Sequence, residues 1–271
     1  MPMPERRVIL IIYTTKYRLG GHQFPVVAET LADEKRQRFD GEVKTCAVDS
    51  KRDVLKAVAE VRDAGDKIKE FIFVGHSGMY GPMYGTVAFP EQFSPFELEQ
   101  MDIPFSEDGS ASFYCCRSAR WFAPFFARTF NVPANGFFWY TTFSKSKEKY
   151  ISAGDGTSKP MYTIGCKGRK SHGIAGALQK RAGFMPAEEM KRFEPRPPDG
   201  DTSYDHVAEL YDAAFVDIRV RRDEWKWLNE HLPAEPFDML DIGCGNGALL
   251  YALRGRISSG RGVDESAAII E

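Results

Sequence analysis

Five short apolar runs, separated by stretches of helical spacing, constrain this chain more than any other feature. Val8–Thr14, Glu42–Val48, Phe71–Val74, Ser112–Cys116 and Gly136–Phe143 each read as a strand bounded by turn-forming or charged residues. Between them, Phe24–Arg38 carries Val27 and Leu31 at helical spacing and has a charged C-terminal half. Asp49 or Ser50 is placed to cap a second helix with the stripe Val54, Leu55, Val58 and Val61, closing near Gly65. A short helix is expected near Pro95–Met101 and a longer one over Ala119–Phe130. Strands that alternate with helices pair in parallel, because each crossover returns the chain to the same edge of the sheet. The expectation for residues 1–190 is therefore an α/β domain: a three-layer, doubly wound, mainly parallel sheet, with Met161–Cys166 as an added edge strand and a helical piece ending near Lys191.

The pattern then breaks. Phe193-Glu194-Pro195-Arg196-Pro197-Pro198-Asp199-Gly200-Asp201 packs three prolines among charges, so residues 191–203 read as a linker. Beyond it, Tyr204–Leu232 is expected to be helical, with Val207, Leu210, Tyr211 and Phe215 on one face and Trp225 and Leu228 further on. Leu240-Asp241-Ile242-Gly243-Cys244-Gly245-Asn246-Gly247 reads as a strand end entering a glycine turn, followed by a helix over Ala248–Arg254. A further short strand ends in Gly262-Val263-Asp264. Residues 204–271 thus spell the opening of an incomplete Rossmann-like βαβ unit. No internal repeat is evident.

Composition narrows the classes of function. The chain has 271 residues, a net charge of −2 and 27% charged residues, with no basic excess to favour a polyanionic partner such as nucleic acid. Its five cysteines (46, 115, 116, 166, 244) show neither zinc-ligand spacing nor a disulfide framework, which points to a reducing, cytoplasmic setting. No segment reaches the roughly 18 apolar residues of a membrane span. The run Val8–Tyr13 is too short for a signal peptide and lacks a small-residue cleavage site.

Asp241-x-Gly243-x-Gly245-x-Gly247 also satisfies Gly-x-Gly-x-x-Ala through Ala248, a spacing that suits a dinucleotide. Glycines serve either ligand, since they permit the tight turn and let backbone N–H groups approach an anion. Asp241 is the discriminating residue. A fixed carboxylate there opposes a pyrophosphate but favours the ammonium and sulfonium of S-adenosylmethionine. Asp264 lies further on at about the distance where an acid takes ribose hydroxyls. On these residues the segment resembles the class I S-adenosylmethionine-dependent methyltransferases. LDIGCGNGALL matches their first motif, GVDES their second-strand motif, and SYDHVAELYD the helix that often precedes the fold. The resemblance implies that Asp241, Gly243 and Gly245 line the methionine end of the cofactor, that Asp264 takes the ribose, and that Gly247 is also cofactor-binding. The methyl acceptor is unspecified. Two strands and one crossover helix cannot cover both faces of a parallel sheet. The expectation is that residues 204–271 alone are not a competent methyltransferase.

The N-terminal part carries separate chemistry. His76 comes after the third expected strand, and Cys115-Cys116 close the fourth, so a parallel sheet brings them to one edge. An imidazole beside a thiol is how a cysteine nucleophile is made. FIFVGHSGMYGPMYG and SFYCCRSARWFAPFFA resemble the His and Cys motifs of caspase-fold cysteine peptidases, including CHAT-type domains, over residues 6–145. That resemblance implies His76 as base, Cys116 as nucleophile and backbone N–H groups near Gly78 as the oxyanion hole. The chain departs from the family at Ser77, where glycine usually comes after the histidine, and at Cys115, where a small residue usually stands. A third reading is a non-catalytic caspase-like module that recognises a peptide or protein partner. Gly75-His76-Ser77-Gly78-Met79 misses the Gly-x-Ser-x-Gly elbow by Met79, and Tyr80-Gly81-Pro82 does not start a helix.

The remaining candidates read as structure. Cys46 and Cys166 are expected as buried small hydrophobes, and Phe122, Phe125, Phe126 and Phe130 as a helical core stripe. Phe137–Tyr140 is expected as buried strand. Lys145–Lys149 and Lys167–Lys170 read as solvated loops. His172, His206 and His231 lack partners at metal-ligand spacing, so no metal site is expected, and His22 is placed to border the His76 site.

Overall fold

The computed structural model describes residues 6–18, 20–78, 80–154, 156–166, 174–183, 185–195, 219, 222–266 and 270. The chain divides into two compact units, Met1–Arg196 and Pro197–Glu271.

The first unit is built on six strands: β1 (Arg7–Tyr13), β2 (Glu42–Ala47), β3 (Lys67–Val74), β8 (Phe105–Tyr114), β9 (Ala134–Gly136) and β13 (Lys191–Phe193). They form one sheet in the order β2-β1-β3-β8-β9-β13. The first five pair in parallel, and β13 closes the edge antiparallel to β9. Helices α1 (Gln23–Arg36), α2 (Lys51–Asp63), α3 (Pro95–Glu99), α4 (Phe122–Phe130) and α5 (Ile174–Arg181) join them. Two short hairpins come after β3: β4 (Ser77–Gly78) with β5 (Gly81–Pro82), and β6 (Tyr84–Gly85) with β7 (Pro90–Glu91). A second, antiparallel sheet runs β10 (Thr141–Ser144), β11 (Tyr162–Cys166) and β12 (Ala187–Glu188).

The uninterrupted apolar run of β1 reflects its place in the middle of the sheet, where both faces are covered. Ile9 and Ile11 pack with Ile72 and Val74 beneath Val27, Ala28 and Leu31 of α1. The opposite face carries Phe71 and Phe113, closed over by Val54 of α2 and by Phe122 and Phe126 of α4. Phe113 meets Phe122 and Phe126 edge-on at 4.8 and 4.9 Å. Edge-on contact is the arrangement the ring quadrupoles favour. The helices begin where their caps dictate. Ser50 accepts from the Asp53 N–H at the start of α2, and Ser94 with Glu97 forms a capping box on α3. Lys51 reaches Glu97 at 2.5 Å and, with the Ser94 N–H, holds that carboxyl down at about 2.

Several sequence expectations are corrected. The fourth strand is longer than Ser112–Cys116 at its start and ends at Tyr114, before both cysteines. Its polar first half is held by Lys69 on Asp108 and by the Ser106 hydroxyl on the Ile68 carbonyl. The expected strand Gly136–Phe143 is two pieces. β9 ends at Gly136, where a side chain would strike the Ser118 hydroxyl at 2.7 Å and the Ala119 nitrogen at 2.9 Å. Phe137, Phe138 and Trp139 then cross, still buried, into the second sheet. Tyr162–Cys166 is the middle strand of that second sheet and not an edge of the first. Lys191–Phe193, read as helix end and linker, is the antiparallel strand β13.

In the second unit, β14 (Phe237–Ile242) and β15 (Ile257–Val263) pair in parallel around the helix Ala248–Leu253, preceded by the helix Arg222–His231. Of the expected helix Tyr204–Leu232, residues 204–218 and 220–221 lie outside the described residues, as do His172 and His206. Among the described residues no helix is long and apolar enough to cross a membrane.

Candidate functional site

In the first unit the register of the sheet builds the site. Val74 of β3 lies opposite Tyr114 of β8, so Gly75-His76 and Cys115-Cys116 leave the same edge in step. The order β2-β1-β3 reverses the winding here, and such a switch point leaves a crevice at the strand C-termini. Position 75 is glycine because a side chain would meet the Thr14 hydroxyl, at the end of β1, at 2.6 Å. The Ser77 hydroxyl donates to the Cys116 carbonyl and ties the two strand-end loops together. The Met83 N–H fixes the His76 carbonyl at 3.0 Å. The His76 ring stands edge-on to Phe24 at 5.0 Å and to Tyr17 at 5.9 Å. Gly78, the expected oxyanion neighbour, lies in β4 opposite Gly81.

His76 and Cys116 line one cavity of about 640 Å³. Its other walls come from Arg18 and Gly20 after β1, Gln23 and Phe24 of α1, Val87, and Thr141, Thr142, Phe143 and Thr163 of the second sheet. The loop after β1 is held in shape by Asp49, which accepts from the Thr15 N–H at 2.8 Å and the Lys16 N–H at 3.1 Å. Arg117, immediately after Cys116, holds a left-handed backbone with φ of 56°. A non-glycine residue in that region costs about 1–3 kcal/mol and persists where its surroundings fix it. Here the fixing contacts are the Arg117 N–H on the Trp139 carbonyl at 2.9 Å and its guanidinium over the Tyr140 ring.

The two adjacent cysteines differ in kind. Cys115 is fully buried, and desolvation, with the neighbouring Cys116 adding, pushes its thiol up to about 12. It is an inert packing group. Cys116 faces the cavity, with the Thr141 N–H and Thr141 hydroxyl each 3.3 Å from its sulfur. Cys166 is buried as expected; Cys46 is only half-buried, and burial pushes its thiol up. His22 is exposed and is not among the cavity-lining residues.

The second unit gathers its candidates on one turn. Gly243, Gly245 and Gly247 all hold left-handed backbone, at φ of 77°, 53° and 72°. That conformation is what makes glycine necessary. Among the described residues, a side chain at Gly243 or Gly247 would meet nothing within 4 Å, so these residues leave the space over the turn open. Asp264, just past β15, accepts from the Gly245 N–H at 2.8 Å and the Ser266 N–H at 3.0 Å. Asp241 lies on β14 near it. Desolvation, and then the Asp264 charge, raise the Asp241 carboxyl above its ordinary range. The same two carboxylates help push the Cys244 thiol up, after desolvation. All five expected residues thus belong to one local arrangement, with acidic groups beside an open glycine turn. Among the described residues no cluster of three or more His, Cys, Asp or Glu side chains is arranged to hold a metal.

Sequence reasoning missed Thr141, Thr163, Phe143 and Arg18 as site residues. Nothing in their immediate sequence marks them, because three of them reach the cavity through a second sheet that pattern alone merges into the first. Comparison with known proteins gives no relative: no family model, curated protein or solved structure matches the chain.

Proposed function

We propose that the second unit binds S-adenosylmethionine, the methyl donor of class I methyltransferases, through its Rossmann-like βαβ turn. The observation that carries this reading is the pairing of Asp241 and Asp264 beside three left-handed glycines, with open space among the described residues at Gly243 and Gly247. The donor set fits this cofactor and not a diphosphate. Two carboxylates that already oppose each other gain from a cation between them, whereas a phosphate adds a third negative charge. Asp241 would hold the cationic methionine end. Asp264, whose oxygens each retain accepting capacity beyond one backbone N–H, would take ribose hydroxyls. Bound there, the cofactor supplies a methyl group activated on a sulfonium. The chain's own residues orient it: the glycines admit the ligand close to the backbone, and the Asp264 bond to Gly245 keeps the turn closed. Calorimetric titration of S-adenosylmethionine into the full chain tests the reading. Saturable binding is expected, lost in Asp264→Ala and weakened at least tenfold in Asp241→Asn. Absence of binding to the unaltered chain contradicts it.

A specific observation favours a second reading for the first unit, a caspase-like cysteine hydrolase. His76 and Cys116 share one cavity, and the residue after the cysteine is held in a strained backbone. The single antiparallel edge strand and the order β2-β1-β3-β8-β9 support the caspase-like arrangement. In this reading the Cys116 S–H proton passes to a His76 ring nitrogen as the sulfur bonds to a substrate carbonyl carbon. The carbon–nitrogen bond then breaks, and the departing amine takes that proton. Water cleaves the resulting thioester, giving the acid and restoring the thiol. Release of amines from a pooled peptide-amide mixture is expected from the unaltered chain and absent in Cys116→Ser. Equal release by the variant contradicts the reading.

A further inference from the structure

We infer that Thr141 is a positioning residue for the Cys116 sulfur, aiming it into the cavity and offering it two hydrogen-bond donors as its proton leaves. The inference rests on the thiol-hydrolase reading of the first unit. Thr141 opens β10, 25 positions along the chain from Cys116, and its N–H and hydroxyl both lie 3.3 Å from the sulfur. The N–H can only donate. The hydroxyl is ambivalent: it accepts from a protonated thiol and donates to a deprotonated one. When the thiol proton leaves for His76, the Thr141 hydroxyl can turn, and the sulfur then receives two donors where it had one. Hydrogen bonds to the charged form lower the pKa of an acid.

The surrounding contacts set this aim in advance. Trp139, two residues before Thr141, accepts at its carbonyl from the Arg117 N–H at 2.9 Å. Tyr140 accepts at its carbonyl from the Cys166 N–H, also at 2.9 Å. The two peptides leading into Thr141 are therefore anchored, one from the cysteine loop and the next from β11. Gly165, opposite Thr141 in the register, lets this segment sit close, since a side chain there would strike the Phe137 ring at 2.6 Å. A second hydroxyl on the cavity wall, Thr163, is 5% exposed, and its oxygen has no hydrogen-bond partner among the described residues.

The test needs no substrate, so it fails or succeeds independently of the hydrolase reading. Iodoacetamide alkylation of Cys116 in the full chain is followed against pH by mass spectrometry. Thr141→Val keeps the N–H donor and the strand-favouring branch but removes the hydroxyl. It is expected to slow alkylation at neutral pH about tenfold and to move the midpoint up by about one pH unit. Thr141→Ala is expected to do the same, and Thr141→Ser to restore the original profile. A merely structural role would leave the midpoint in place. An unmoved midpoint in both Val and Ala variants overturns the inference. A shifted midpoint with no amine release from any peptide amide leaves Thr141 assigned and discards the hydrolase reading instead.

Discussion

The two candidate sites are assembled in opposite ways. The cavity of the first unit draws on β1, α1, β3, β8, β10 and β11, and its residues meet only because parallel strands end in register. The glycine turn of the second unit is nearly contiguous, Asp241 to Gly247 with Asp264 returning from the next strand. Burial differs in the same sense. Phe113 and Ile72, under the first site, are 1% and 0% exposed, whereas Leu240 and Ile242, at the second, are 58% and 79% exposed. The first site is positioned by a packed core. The second is positioned by backbone conformation and a few hydrogen bonds. A site of the first kind is sensitive to lost volume, and one of the second kind to lost backbone freedom.

That contrast can be broken by substitution. Phe113→Ala should have the largest effect, removing a ring that touches Phe122 and Phe126 and destabilising the first unit by about 3–5 kcal/mol. Hydrogen exchange on the full chain is expected to show that loss in β3 and β8, with the second unit unchanged. Two glycine substitutions sharpen the comparison further. Gly136→Ala meets backbone at 2.9 Å and is expected to cost about 1–3 kcal/mol through overpacking. Gly243→Ala meets nothing among the described residues and is expected to cost about 1–2 kcal/mol through its left-handed φ. Thermal melts of both variants check the pair. Relief of the Gly243→Ala defect by trimming a neighbouring side chain would show that crowding, and not backbone conformation, sets the cost there.

The smallest effect concerns charge. A carboxyl whose pKa is raised on folding contributes stability that is complete below its unfolded value and is lost as pH rises through the folded one. Asp241 is such a group, through desolvation and then Asp264. Thermal melts of the second unit should therefore fall slightly as pH rises above the ordinary aspartate range, and Asp241→Asn should flatten that slope. At neutral pH the variant is expected to be at least as stable as the unaltered chain while binding the cofactor less well. A residue that weakens its own unit and strengthens ligand binding is the signature of a site. A steeper slope in the variant would remove Asp241 from that role.

How much could be read without coordinates divides along the same line. The glycine turn, Asp241 and Asp264 were legible because their geometry is local: left-handed backbone demands glycine at fixed spacing. His76 and Cys116 were legible as strand-end residues, since the apolar runs before them announce where the strands stop. Thr141, Thr163 and Arg18 were not, because their place depends on where Phe137–Tyr140 leaves the main sheet. At that departure the Ser118–Ala119 turn approaches Gly136, a contact between residues far enough apart in sequence to leave no pattern. The antiparallel strand β13 was missed for a similar reason. Lys191–Phe193 is three residues long, and its pairing with β9 is what makes it a strand.

The most direct measurement is a structure of the full chain crystallised with equal excesses of S-adenosylmethionine and NAD. Density for S-adenosylmethionine alone is predicted over the glycine turn, its cationic end toward Asp241 and its ribose toward Asp264. A diphosphate seated over Asp241 would contradict the cofactor assignment.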